Sequence, residues 1–291
     1  METSAEPWSV LKLINWTKDY LAKAYLESPR LSAEILLAHA LHCRRIDLYT
    51  RYDYQPTAQE LAEFRQLVQR AGQYEPIAYM VGEKEFYSLR FKVTPDVLVP
   101  RPETEMLVAE ALSHLRQFQE RHTVWDVCTG SGCVAVAIAS QSPQASVLAT
   151  DISPSAVAVA QENAQANRVA DRVRCRVADL LSLADEDRDL CPFAAITANP
   201  PYIADNQMIS ETVRREPPIA VHGGPSGLDF LERIIRDAPA FLRPGGALIL
   251  EFGYTQEDVV SSLILATGQF LQPRVIADHQ GIDRNVIAIR R

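Results

Sequence analysis

Apolar positions early in the chain recur every three or four places. Val10, Leu13, Ile14, Trp16, Tyr20 and Leu21 fall at helical spacing, and Ser28-Pro29 breaks the run. The pattern predicts a second helix over roughly 32–43, rich in Leu and Ala. A third opens on Thr57-Ala-Gln-Glu60, where each end residue can satisfy the other's backbone N–H, and Leu61, Phe64, Leu67 and Val68 form its apolar face. Residues 8–78 therefore read as a small helical bundle. The period then changes to two. In "EFYSLRFKV" (85–93), Leu89, Phe91 and Val93 alternate with Arg90 and Lys92, and with "VLVP" (97–100) this predicts a hairpin joining two domains.

From Arg101 onward helices and strands alternate. The spacing predicts helices over 103–118, 133–140, 154–168, 229–242 and 255–267. Strands are predicted over 123–127, 146–151, 172–179, 193–199 and 247–253, and "PRVIAD" (273–278) and "NVIAIR" (285–290) close the chain around the turn-like "HQGIDR". Continuous apolar strands alternating with helices predict an α/β fold with a parallel sheet covered on both faces. There is no internal repeat and no low-complexity segment.

Composition narrows the class. The 291 residues are 47% hydrophobic and 23% charged, as in a globular protein of two domains or one large one. The acidic start Met1-Glu-Thr-Ser-Ala-Glu-Pro does not resemble a signal peptide, and no apolar run approaches the roughly 18 residues of a membrane span, so a cytoplasmic protein with no membrane partner is expected. Cys43, Cys128, Cys133, Cys175 and Cys191 form no CxxC pair, and the six histidines form no HExxH array; reduced thiols and no metal are expected. A net charge of −8 disfavours a tight sequence-independent grip on nucleic acid and suits a basic protein partner. The sequence sets no oligomeric state.

The candidate chemistry lies where strands end, since ligands of open α/β sheets sit beyond the strands' carboxyl ends. "WDVCTGSGCVAVAIA" (125–139) places Gly130 and Gly132 between a strand and a helix whose first N–H groups face outward. The next strand ends in Asp151, an acceptor for both hydroxyls of a ribose. Asp179 and Leu180 follow the third strand, where an acid can meet an exocyclic amine and an apolar side chain can cover a base. The fourth ends in "NPPY". Each proline fixes its own φ and keeps the preceding residue extended, so Asn199 projects from the sheet end. Neither Pro200 nor Pro201 has an N–H, so the corner is rich in acceptors: Asn199 Oδ1 and the Pro200 carbonyl can receive both N–H bonds of a planar amide. Such bonds favour the pyramidal nitrogen that forms as a methyl group arrives. Tyr202 can cover the amide or face a sulfonium cation.

"NPPYI", "DVCTGSG", "ATDIS" and "VPRPETE" together resemble the HemK/PrmC family, the release factor glutamine methyltransferases, and "EPIAYMVGEKEFYSLRFKVTPDVLVPRPETE" (75–105), "EPPIAVHGGPSGLDF" and "GIDRNV" continue the match. The resemblance implies a Rossmann-like class I methyltransferase domain over 101–291, with a mainly parallel seven-stranded sheet and a C-terminal antiparallel hairpin. A helical substrate-recognition domain over 1–80 and a connecting hairpin over 81–100 would precede it. It implies S-adenosylmethionine as donor, S-adenosylhomocysteine as product, and as acceptor the glutamine of the Gly-Gly-Gln loop of peptide chain release factors. Cys128, Thr129, Gly130, Ser131 and Gly132 would cradle the donor. Asp151 would hold the ribose with Ile152 beside it, and Asp179 and Leu180 the adenine. Arg101, Glu103 and Thr104 would start a helix lidding the donor, and Asn199, Pro200, Pro201 and Tyr202 would hold the glutamine amide. Cys128 stands where many members have glycine, and "CTGSGC" also resembles a sibling enzyme that methylates a ribosomal protein. An amino-adenine DNA methyltransferase, which would use the same corner, and a non-catalytic adaptor that binds S-adenosylmethionine are the other readings.

Overall fold

The computed structural model describes residues 8–24, 28–278 and 280–291. The acidic start of the chain, and His279 of the "HQGIDR" stretch, lie outside the described residues. The chain divides into two compact units: the stretch up to Gly82 together with Ser210–Arg215, and Glu83–Ile209 together with Glu216–Arg291.

The first unit holds α1 (Val10–Lys23), α2 (Pro29–Ala40), α3 (Ala58–Gly72) and α4 (Ile77–Val81). Val10, Ile14, Leu36, Leu37, Phe64 and Val68 meet in its core. Thr57 and Glu60 exchange the expected bonds at the start of α3: the Thr57 N–H donates to Glu60 Oε2 at 2.6 Å and the Glu60 N–H to Thr57 Oγ1 at 3.3 Å. The second helix begins at Pro29 rather than at 32. A proline in the first turn surrenders an N–H that has no intrahelical partner, so the Ser28-Pro29 break is also the start of α2.

The second unit opens with a hairpin of β1 (Glu83–Phe86) and β2 (Leu89–Lys92), with Phe86 opposite Leu89. Tyr87 and Ser88 turn it with φ of 49° and 61°, the left-handed pair that suits a two-residue hairpin. The pairing expected with 97–100 does not form, because this tight turn closes the ladder within 83–92; the Val99 N–H donates instead to Glu216. A short 3₁₀ turn, Pro102–Thr104, leads into α5 (Glu105–Leu115). Then follow β3 (His122–Val127), α6 (Cys133–Gln141), β4 (Ala145–Asp151), α7 (Pro154–Ala166), β5 (Val173–Val177), β6 (Phe193–Ala198) and α8 (Asp229–Asp237). The chain ends with β7 (Leu242–Glu251), α9 (Glu257–Ala266), β8 (Arg274–Ala277) and β9 (Asp283–Ile289). Helix α8 stops five residues short of its expected end because Pro239 follows.

The seven strands lie in the order β5-β4-β3-β6-β7-β9-β8; β9 runs antiparallel to both neighbours and the first five are parallel. Adjacent residues of one strand feed opposite cores. Val124 packs with Leu107 and Val136 on one face, while Trp125 packs with Leu231, Ile234 and Phe252 on the other. The order reverses direction between β3 and β6, so the carboxyl ends of β3, β4 and β6 frame a crevice at the switch point. No helix among the described residues is long and apolar enough to cross a membrane.

Candidate active site

Between β3 and α6 the chain must turn sharply. Cys128, Gly130 and Gly132 do this with φ of 57°, 54° and 78°. A Cβ on Gly132 would sit 3.0 Å from that of Ala160, so glycine here also lets α6 approach α7. Asp126, buried one residue before the end of β3, accepts from Thr129 Oγ1 at 2.6 Å and from Thr197 Oγ1 at 2.8 Å, tying the turn to β6. Burial pushes its carboxyl up to about 6 against those hydroxyls. The Cys128 thiol is pushed well above its ordinary value by burial and by Asp151, Asp126 and Asp179, which keeps it neutral and poorly nucleophilic.

At the end of β4, Asp151 Oδ2 accepts from the Gly130 N–H at 2.9 Å and Oδ1 from the Ser153 N–H at 3.0 Å. A carboxylate has about four lone-pair sites, so these bonds leave Asp151 acceptor capacity for a ligand's hydroxyls. Burial raises the Asp151 pKa, opposed by the N–H groups of Ser153, Gly130 and Ile152. Ile152 stands half exposed beside it. After β5, Leu180 is buried in the left-handed region at φ 48°, and the exposed Asp179 accepts from Arg233 at 2.7 Å.

At the end of β6, Pro200 and Pro201 are buried and Asn199 is half-buried. Asn199 Nδ2 donates to Thr104 Oγ1 at 3.1 Å, Thr104 Oγ1 donates to Glu251 Oε2 at 2.7 Å, and the Tyr202 hydroxyl donates to Glu251 Oε1 at 3.1 Å. Glu251 ends β7 and is buried; burial pushes it up to about 7, against Thr104 and Tyr202. The Tyr202 hydroxyl is itself pushed up by burial and by Glu251. The long connection after the corner lies along it: the Ile203 N–H donates to the Val221 carbonyl at 3.2 Å and the Gly223 N–H to the Ile203 carbonyl at 2.8 Å. Further along the same connection, buried Glu216 accepts from the Val99 N–H and from the Arg101 guanidinium.

These ends surround a cavity of about 140 Å³. Of the expected residues, Arg101, Thr104, Asn199 and Pro201 line it on one side. Cys128, Thr129, Gly130 and Ser131 line it at the turn, and Asp151, Ile152, Asp179 and Leu180 at the next two strand ends. Glu103, Gly132, Pro200 and Tyr202 do not line it. Gly132 and Tyr202 instead support residues that do, through α7 packing and through Glu251. Asp126, Phe230, Glu216 and Glu251 were not expected: the first two line the cavity, and the carboxylates of the last two hold Arg101 and Thr104. In "ALILEFG" Glu251 is the single charge of an otherwise apolar strand, which marks the residue but names neither Thr104 nor Tyr202 as its partner. Among the described residues, no three His, Cys, Asp or Glu side chains gather as a metal site.

Residues 12–82 match the PrmC N-terminal domain and residues 104–216 the Methyltransferase small domain. The chain is 41% identical over 290 residues, 97% of each chain, to a protein of Rhodopirellula baltica named release factor glutamine methyltransferase. It is 41% identical over 289 residues, 98% of each chain, to a protein of the same name in Geobacter sulfurreducens. Among solved structures, a methyltransferase from Pyrococcus furiosus shares the fold, with a TM-score of 0.50 at 17% identity, covering 71% of this chain and 91% of that one.

Proposed function

Because the chain belongs to the release factor glutamine methyltransferase family, we propose that it transfers a methyl group from S-adenosylmethionine to the side-chain amide nitrogen (N5) of the glutamine in the Gly-Gly-Gln loop of peptide chain release factors. The observation that carries this reading is the state of the Asn199 amide. One of its two N–H groups is held by Thr104, which turns the nitrogen end towards Thr104 and leaves Oδ1 as the acceptor on the opposite side of the amide, in a residue that lines the cavity.

A glutamine amide nitrogen is a weak nucleophile because its lone pair is delocalised into the carbonyl. Asn199 Oδ1 and the Pro200 carbonyl would each accept one of its two N–H bonds, which holds the nitrogen in line and favours its pyramidal form. The bound donor supplies an electrophilic methyl on a cationic sulfur. The nitrogen would take that methyl carbon with its lone pair as the carbon–sulfur bond breaks and its electron pair returns to sulfur, so that S-adenosylhomocysteine leaves as a neutral thioether; the nitrogen, then cationic, would lose a proton to water to give the neutral N-methyl amide. The cavity suits a nucleoside donor: Asp151 would accept both ribose hydroxyls, the Cys128–Gly132 turn would give its backbone a close approach, and Leu180 would cover the base beside Asp179. Arg233 partly offsets the charge of Asp179. The helical domain over 1–80 would recognise the release factor, with the hairpin over 81–100 leading to the methyltransferase domain over 101–291, and the protein would act in the cytoplasm, where translation ends.

Mass spectrometry of a release factor incubated with the enzyme and S-adenosylmethionine tests the reading: one methyl group is expected on the Gly-Gly-Gln glutamine. Asn199→Ala should lower single-turnover transfer by roughly a hundredfold, as removal of a transition-state partner does, with donor affinity changed much less. Unchanged turnover in that variant overturns the role of Asn199; methyl groups only on a ribosomal protein or on DNA overturn the acceptor.

A further inference from the structure

An asparagine amide is almost symmetric in shape, and only its surroundings decide which end faces outward. If Asn199 turned its amide over, it would meet the acceptor's N–H with its own N–H, donor against donor. We propose that Thr104 and Glu251 are positioning residues that set this choice, acting as a polarity relay from the end of β7 to the catalytic corner; the proposal rests on the glutamine-transfer reading above.

The relay follows from donor counting. Ionised Glu251 has no hydrogen to give, so it must receive the hydroxyl hydrogens of both Thr104 and Tyr202, at 2.7 and 3.1 Å. With its one hydrogen committed, Thr104 Oγ1 offers only lone pairs. The amide atom that can face it is therefore Nδ2, found at 3.1 Å, and Oδ1 is left for the acceptor. Thr104 and Glu251 are 3% and 1% exposed, so water does not easily replace either bond. Removing the negative charge of Glu251 releases the Thr104 hydrogen, which can then turn to Asn199 Oδ1 and favour the flipped amide. The charged and titratable groups around Glu251 are Glu103 from the turn before α5, Tyr202 from the corner, Arg284 from β9 and Cys133 from α6. Since burial lifts Glu251 to about 7, the relay weakens as pH falls through neutrality.

The test compares Thr104→Val, Thr104→Ser and Glu251→Gln with wild type in single-turnover methylation of a release factor, with calorimetric titration of S-adenosylhomocysteine alongside. Thr104→Val should lose about tenfold in transfer rate, the scale of one misdirected hydrogen bond, while the product still binds. Thr104→Ser, which keeps the hydroxyl, should restore most of that rate. The wild-type rate should fall on the acid side of pH 7, and Glu251→Gln, which cannot titrate, should be flat across that range. Equal rates for Val and Ser at position 104, or an acid limb that persists in Glu251→Gln, overturns the relay. Failure of wild type itself to methylate the release factor is a separate result and removes the acceptor reading instead.

Discussion

The Asp151 carboxylate shows how much one side chain can ask of a sequence. Its oxygens brace the glycine turn through Gly130 and the start of α7 through Ser153, and the same oxygens would grip the donor's ribose. Asp151→Asn puts an NH₂ where one of those two backbone N–H groups now donates, so a brace and a ribose bond are lost together. Calorimetry should find donor affinity weaker by roughly 10- to 100-fold, the range for a hydrogen bond to a charged group; unaltered affinity would remove the ribose assignment. The place of Asp151 at the cavity was legible, because an acid ending the second strand after a Gly-x-Gly turn falls at the carboxyl edge of the sheet. Cys128 was legible only as an oddity, and its φ of 57° supplies the reason glycine suits that position: the left-handed region costs a side chain about 1–2 kcal/mol. Glu251 and Glu216 were not legible as site residues. Their partners, Thr104, Tyr202, Val99 and Arg101, lie between 49 and 147 positions away along the chain, and no local spacing carries that information.

Elements are most legible where one period persists, and least where a proline or a turn decides the end. Strand β3 and helix α6 fall within a residue of expectation, because an unbroken apolar run followed by a glycine turn has few alternatives. The extent of the hairpin is not legible in the sequence, because Tyr87-Ser88 is not a usual left-handed turn pair and its tight closure leaves no signal. The connection after the Asn199–Tyr202 corner carries no period, and its structure comes from contacts with that corner. Gly223 shows this best. Its φ is ordinary, but a Cβ there would sit 2.6 Å from the Pro201 carbonyl oxygen and 2.9 Å from the Tyr202 Cα. Gly223→Ala must therefore displace the proline corner or the connection itself. Methyl transfer should fall at least about tenfold while donor affinity, set mainly by β3 and β4, changes less; single-turnover kinetics beside calorimetry would show it, and a wild-type rate would mean the corner tolerates the shift.

At the scale of the whole molecule, the buried acids of the site couple its chemistry to its stability. Asp126 and Glu251 are lifted to about 6 and about 7 from ordinary values of 3.8 and 4.5. Between those limits the folded protein binds more protons than the unfolded chain, so both groups withdraw stability as pH rises through the window. Asp151, raised in the same direction, adds to this. Buried His114 and His122 act the other way: their pKa values are lowered by burial, so stability rises as pH climbs towards their unfolded value of 6.5. Carboxylates such as Glu34 and Glu75, held low in the fold, have delivered their full contribution by about pH 5. A difference between two proteins separates these contributions. Glu251→Gln keeps every other group and removes one titration, so wild type should lose stability relative to the variant as pH rises from 5 to 8. The full shift of 4.5 to about 7 corresponds to on the order of 3 kcal/mol, most of it falling within that range. Urea unfolding of both proteins at several pH values would measure it. Curves that stay parallel across the range would mean that Glu251 is ionised at its ordinary value in the folded protein, and that burial at the end of β7 does not hold a proton there.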